Sequence, residues 1–130
     1  MTVADTDVLI DFLAGTDPTA AQVADEIGRG SLCTTAITRF ELLSGVRSAR
    51  RESAVRGLLA AVCTLPLDEE AADRSAEVRR SLERSGEPIG MADSLIAGIT
   101  LARNGTLLTR NRRHFERVGG LRLADLNQGK

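Results

Sequence analysis

Residues 3–13, VADTDVLIDFL, decide how the rest of the chain reads. A short apolar run, Val3 and Ala4, stops at Asp5. Val8, Leu9, Phe12 and Leu13 then recur at helical spacing, which predicts a strand, a tight turn and a helix. Asp5 thus stands at the carboxyl end of the first strand, the edge of an open α/β sheet where ligands bind. An acid there is either a helix cap or a site residue, and Thr6 and Asp7 offer caps in its place.

The same alternation continues. Asp17-Pro18 opens a helix with Pro at its first position; Ala20, Val23, Ala24 and Ile27 form its apolar face, and Gly28 and Gly30 end it. Ser31 to Thr34 reads as a buried strand, and Thr35 opens a helix to about Val46. Val55, Leu58, Leu59 and Val62 mark another helix, and Thr64 to Leu67 an extended piece. Asp68-Glu69-Glu70 places acids in the first turn of a helix lined by Ala71, Ser75, Val78 and Leu82, which stops at Gly86 and Pro88. Met91 to Arg103 is helical, Thr106 to Thr109 a strand, His114 sits in a short helix, and a last strand lies near Leu121 to Leu123. Short apolar strands alternating with helices predict a parallel sheet covered on both faces. No repeat, linker or low-complexity segment divides residues 1–130, so one domain suffices.

Composition narrows the function classes. The chain has 130 residues, enough for one domain with a proper core. No apolar run reaches roughly 18 residues, and no signal-type segment opens the chain, so a cytoplasmic protein is expected. Cys33 and Cys63 lack metal-type spacing and fall in expected buried elements, so two free buried thiols are predicted. The net charge of -1 is not that of a protein holding nucleic acid by charge alone. Lys130 is the only lysine, so arginine carries nearly all positive charge. That is either compositional bias or a preference for bidentate phosphate contacts.

Two acids interrupt apolar faces. Ile37, Phe40, Glu41 and Ser44 form one stripe, which turns Glu41 toward the core side. Asp93 shares a face with Ile96, Ala97 and Thr100 on a helix that is apolar nearly all round. Charged side chains are rarely buried unless paired or bound to metal. Taken singly, Glu41 could pair with Arg39, Arg47 or Arg50, and Asp93 could cap its first turn. Taken together, Asp5, Glu41 and Asp93 all fall on the ligand edge of a parallel sheet. If they come within about 5 Å of one another, each pair repels by roughly 3 kcal/mol at an effective dielectric near 20. Three pairs then approach roughly 10 kcal/mol, comparable to the stability of a whole domain. Such a cluster needs a proton or a divalent cation, and oxygen-only ligands suit Mg²⁺ or Mn²⁺ rather than Zn²⁺.

Four blocks in this order, VADTDVLIDFL, TAITRFELLSGV, IGMADSLIAGITLA and LLTRNRRHF, resemble a PIN-domain ribonuclease of the VapC toxin type. The resemblance covers essentially the whole chain. It implies a three-layer α/β/α fold with a parallel sheet of about five strands. It also implies metal-dependent cleavage of structured RNA (tRNA or rRNA) that inhibits translation, a VapB-like antitoxin, and a homodimer or toxin–antitoxin hetero-oligomer. By matching blocks, Asp5, Glu41 and Asp93 fall on the family's acidic positions, as catalytic residues and metal ligands. The fourth position, often Asp, is Asn111 here; one charge is lost, but an amide oxygen can still ligand a metal or hold its water. The resemblance further places an antitoxin helix in an apolar groove, with an antitoxin arginine reaching the acids. Leu42, Leu43, Val46, Leu58, Leu59 and Val62 offer such a groove, although most of them also read as ordinary core.

Neighbouring residues take lesser roles. Thr6 is expected to support the Asp5 turn or bond a site residue, and Thr109 to bond a site carboxylate. Asp7 and Asp11 read as a solvated helix face, with a peripheral metal role for Asp11 as the minority view. Arg110, Arg112 and Arg113 form a basic edge from which at least one phosphate contact is expected. His114, the only histidine, reads as a structural loop residue. Aromatic residues make up 2% of the chain, so RNA would be met by shape and phosphate rather than by stacking. Two other classes compete. Asp5-Thr6-Asp7 also resembles the DxD opening of haloacid-dehalogenase-like phosphatases, and an early acid pair suits a receiver domain. Both need a lysine late in the fold, and Lys130 at the tail is a poor candidate. A catalytically silent PIN interaction module is the remaining alternative.

Overall fold

The computed structural model describes residues 1–126. Lys130 lies outside them. Five parallel strands form one sheet: β1 (Thr2–Ala4), β2 (Leu32–Thr35), β3 (Cys63–Leu65), β4 (Thr106–Leu108) and β5 (Arg122–Leu123), in the order β3-β2-β1-β4-β5. Seven helices cover its two faces: α1 (Thr6–Ala14), α2 (Thr19–Gly28), α3 (Ala36–Ser44), α4 (Ala49–Ala60), α5 (Glu69–Arg84), α6 (Met91–Ala102) and α7 (Arg112–Phe115). This is the α/β/α architecture expected. Side-chain alternation along the strands sends neighbours into opposite cores. Val3 and Leu107 join Val78, Ile96, Ile99 and Phe115 on one face; Ala4 and Leu108 join Val8, Leu9, Val23 and Leu58 on the other. Among the described residues, no helix is long and apolar enough to cross a membrane.

The helix starts are written in short polar residues. The carboxylate of Asp5 accepts from Thr6 N, Thr35 Oγ1 from Thr38 N, Ser48 Oγ from Arg51 N and Asp68 Oδ1 from Ala71 N. Each satisfies a backbone donor that the helix leaves open. α1 ends at Gly15, whose φ of 70° suits a residue without Cβ. Several boundaries differ from the sequence reading. Pro18 is the residue before α2 rather than its first. α4 begins at Ala49, because Arg50, Arg51 and Glu52 form a solvated first turn that carries no apolar signal.

Two expectations about faces fail. Phe40 is 70% exposed and Ser44 is exposed, so of the stripe from Ile37 to Ser44 only Ile37 packs against the core and Glu41 is half-buried. α3 instead buries Thr38 and Leu42, one residue round the helix. Cys63 is exposed while Cys33 is buried, because β3 is the sheet edge and its start lies uncovered. The strand order reverses direction at β1. The chain builds outward through β2 and β3, then crosses back to lay β4 on the other side of β1. Ligand sites of parallel sheets form beyond the carboxyl ends of the strands at such a reversal, here the ends of β1 and β4.

Candidate active site

Asp5 follows β1 directly, and its backbone N–H donates to Leu108 O at 2.9 Å, which locks it to β4. It is both of the things its position allowed, a helix cap and a member of a polar cluster. One carboxylate oxygen accepts from Thr6 N at 2.7 Å and the other from Thr109 Oγ1 at 2.8 Å. The Thr109 hydroxyl in turn accepts from Asn111 N at 2.9 Å, so the turn after β4 is pinned to the Asp5 carboxylate. Asp5 is only 6% exposed. Burial, reinforced by the Asp7 and Asp93 carboxylates, pushes its carboxyl up to about 6 against the hydrogen bonds from Thr109 and Thr6.

Thr6 ties the second acid in. Its hydroxyl lies 2.6 Å from Glu41 Oε1 and 2.9 Å from Thr38 Oγ1, joining the start of α1 to α3. Glu41 forms no ion pair with Arg39, Arg47 or Arg50 among the described residues; Arg47 turns its guanidinium to the carbonyls of Ser44 and Val46. Asp93 lies in the first turn of α6 but does not cap it, since the cap residue is Gly90. Its Oδ2 meets two other groups: Asn111 Nδ2 at 3.4 Å and His114 Nδ1 at 3.2 Å. Asn111 Nδ2 and His114 Nδ1 are themselves 2.9 Å apart. Of three mutually touching atoms that each only donate or only accept, two must be of the same kind. With Asp93 as a carboxylate and His114 neutral, this triangle therefore holds one mismatched contact in either imidazole tautomer.

His114 is thus placed at the cluster rather than in a purely structural loop. It lies three residues beyond Asn111 on the single turn of α7, so both side chains share a face. Asp7 and Asp11 also depart from the solvated face expected of them. Asp11 is 8% exposed and receives Arg110, with Nε 2.7 Å from Oδ2. Asp7 Oδ2 accepts from Arg110 N at 3.0 Å, while its Oδ1 is buried without a partner. Burial raises the Asp7 carboxyl, opposed by the backbone N–H and guanidinium of Arg110. Arg112 spends its guanidinium on Ala124 O at 2.6 Å. Arg113 is exposed, and no hydrogen bond or ion pair ties it down among the described residues.

The cluster therefore gathers oxygen donors from four segments: Asp5 and Asp7, Glu41, Asp93, and Asn111. Among the described residues, no three His, Cys, Asp or Glu side chains stand together as a ready ligand set. Each of Asp5, Glu41 and Asp93 is engaged instead by a hydroxyl, amide or imidazole. The chemistry of the donors still fits a hard divalent cation: carboxylate and amide oxygens, one buried oxygen unpartnered, and a carboxyl pushed up to about 6, first by burial and then by its anionic neighbours. Beside Glu41 an open cleft of about 160 Å³ runs between α1, α3 and α4, walled by Ile10, Leu13, Leu42, Val46 and Val55. Leu42, Leu58 and Leu59 are core residues, and Leu43 and Val62 pack against that core. The groove is narrower than the sequence suggested, and its outer lip carries exposed Ile10.

The PIN domain family model matches residues 2–121. The tRNA(fMet)-specific endonuclease VapC of Shigella flexneri is 32% identical over 125 residues, covering 93% of this chain and 94% of that protein. Ribonuclease VapC19 of Mycobacterium tuberculosis is 32% identical over 116 residues, covering 88% and 92%. A DNA-bound VapBC crystal structure from Salmonella typhimurium superposes with a TM-score of 0.85 at 29% identity, covering 95% of this chain and 96% of that one.

Proposed function

The chain belongs to the PIN-domain family, with VapC ribonucleases as its relatives, and on that premise we propose that it is a divalent-metal-dependent endoribonuclease, the toxin of a toxin–antitoxin pair. The observation that supports this reading is the chain of hydrogen bonds at the carboxyl ends of β1 and β4, which links Asp5 to Glu41 through Thr6, and to Asn111 and Asp93 through Thr109. The substrate is a structured RNA such as a tRNA or rRNA, and its cleavage inhibits translation. The PIN family match decides against the phosphatase alternative.

Asp5 and Asp93 are the direct metal ligands, with Asn111 supplying its amide oxygen while its Nδ2 stays against His114. Mg²⁺ or Mn²⁺ held there supplies Lewis-acid polarisation of a phosphate oxygen and a water of lowered pKa. Glu41, half-buried and anchored by Thr6, orients the attacking water. Thr109 and Thr6 fix the Asp5 carboxylate with one hydrogen bond to each oxygen, which leaves each oxygen a further lone pair for a metal. His114 positions Asp93 and Asn111. Arg113, unengaged and exposed two residues from Asn111, contacts substrate phosphate. Arg110 is committed to Asp7 and Asp11 and keeps the site wall in place instead.

A VapB-like antitoxin is the partner. An apolar helix edge laid in the cleft beside Ile10, Leu13 and Val46 ends at Glu41, where an antitoxin arginine reaches the acids and neutralises them as a cation does. The test is cleavage of a structured RNA by purified protein with Mg²⁺ or Mn²⁺ and with EDTA, beside Asp5→Asn, Glu41→Gln and Asp93→Asn. Metal-dependent cleavage lost in all three folded variants is expected. No cleavage of any structured RNA by the wild type would leave a silent binding module; full turnover by a variant would remove that residue from the machinery.

A further inference from the structure

Cys33 of β2 and Cys63 of β3 are register partners on neighbouring parallel strands. Neighbouring strands run about 4.8 Å apart, inside the Cα separation of roughly 4.4–6.8 Å that a disulfide spans. Register partners in a parallel ladder point to the same face. The cores confirm it, since Cys33 packs with Leu65, two residues beyond Cys63 on the same strand. The thiols are near enough to influence each other: Cys33 is pushed up to about 11, first by burial and then by the Cys63 thiol beside it. The two sulfurs differ in access. Cys63 is exposed, and Cys33 is 9% exposed behind it. β3 is a three-residue edge strand, with one sheet neighbour to hold it, and can close the remaining gap between Cβ atoms.

We propose that Cys33 and Cys63 form a reversible intramolecular disulfide that staples the edge strand β3 to β2, made by exchange with a small oxidised disulfide such as oxidised glutathione. The Cys63 thiolate attacks one sulfur of the small disulfide; that S–S bond breaks, and one small thiolate leaves and takes up a proton. Cys33 then gives its proton to solvent and attacks the Cys63 sulfur, expelling the second small thiolate. One protein dithiol and one small disulfide become one protein disulfide and two small thiols. The chain so closed, residues 34–62, holds α3 and α4 and therefore Glu41 and one wall of the cleft. The proposal makes no use of RNA cleavage and stands or falls apart from it.

The test uses the full chain, reduced and folded, brought to equilibrium in native buffer across a series of oxidised-to-reduced glutathione ratios. Intact mass, thiol titration after quenching, and peptide mapping are the readouts. Expected is a monomer that loses two hydrogens and both titratable thiols, with Cys33 and Cys63 in one linked peptide pair, fully restored by dithiothreitol. Cys33→Ser should stop at a mixed disulfide on Cys63, and Cys63→Ser should keep Cys33 as a free thiol. A wild type that keeps two free thiols, rests as a mixed disulfide at equilibrium, or links only between chains overturns the proposal. So does a Cys63→Ser protein whose Cys33 reacts as readily as Cys63 does.

Discussion

Replacing Asp5 by Asn should make the protein more stable at alkaline pH while removing its activity. Asp5 has a carboxyl raised from 3.8 to about 6, chiefly by burial and next by Asp7. The sign follows from proton binding. Between those two values the folded chain holds a proton that the unfolded chain releases, so stability falls as pH rises through the window and is lowest above about 6. At about 1.4 kcal/mol per tenfold change in proton affinity, the charged Asp5 costs the fold about 3 kcal/mol there. An amide removes that cost but changes one hydrogen bond. Its oxygen still accepts from Thr6 N, while its NH₂ faces the Thr109 hydroxyl, which must turn its own proton toward Asp7 Oδ2 at 3.5 Å. That rearrangement costs about 1 kcal/mol. Net stabilisation is then about 2 kcal/mol near pH 8, and near pH 4 the variant is equal to or weaker than wild type. Urea unfolding followed by circular dichroism, in EDTA, at several pH values between these limits measures the difference. A gap between the two proteins that does not change with pH would refute the reasoning, as would a variant that is weaker near pH 8.

Other substitutions probe other parts. Gly98→Ala places a Cβ 1.9 Å from Ser75 Oγ, 2.5 Å from Ser75 N and 2.6 Å from Ser75 Cα. Backbone cannot rotate away, so α5 and α6 must part by about 1 Å; overpacking of roughly 3 kcal/mol, less about 1 kcal/mol of helix propensity gained, predicts a loss of about 2 kcal/mol in a thermal or urea melt. An unchanged midpoint would mean the two helices are not held at that separation. His114→Ala removes the group that holds Asp93 and Asn111, and Mn²⁺ affinity by calorimetry should fall about 10–100-fold with the fold intact. Equal affinity would return His114 to a purely structural role. Arg113→Ala should weaken binding of a non-cleavable RNA and lower the slope of log affinity against log salt by about 1; an unchanged slope would remove it from the phosphate contacts.

Asp5 and Asp93 were legible because one ends a strand and the other breaks an apolar helix, whereas the stripe that pointed to Glu41 is not the face α3 buries; for Glu41 only the parallel topology, which sends its place to the same edge, is a sound signal. The layers were legible from short apolar strands alternating with amphipathic helices. Asp7 and Asp11 were not, since what buries them is Arg110, about a hundred positions away and drawn in only when β4 pairs with β1. His114 carried a usable signal: Asn111 and His114 stand three apart, the spacing of one helix face, in the block that holds the fourth site position. Phe40 misled because the stripe was drawn through Glu41, whereas α3 turns Thr38 and Leu42 inward. Cys63 misled because an apolar neighbourhood in sequence does not tell an edge strand from a central one.

The most direct measurement of the central claim is Mn²⁺ titration of the metal-free protein by calorimetry, beside Asp5→Asn and Asp93→Asn. The acidic cluster at the ends of β1 and β4 predicts saturable binding to the wild type, a wild-type melting point that rises with added Mn²⁺, and neither effect in the two variants. A wild type that takes up no Mn²⁺, or an Asp5→Asn protein that binds it as tightly, would contradict the account.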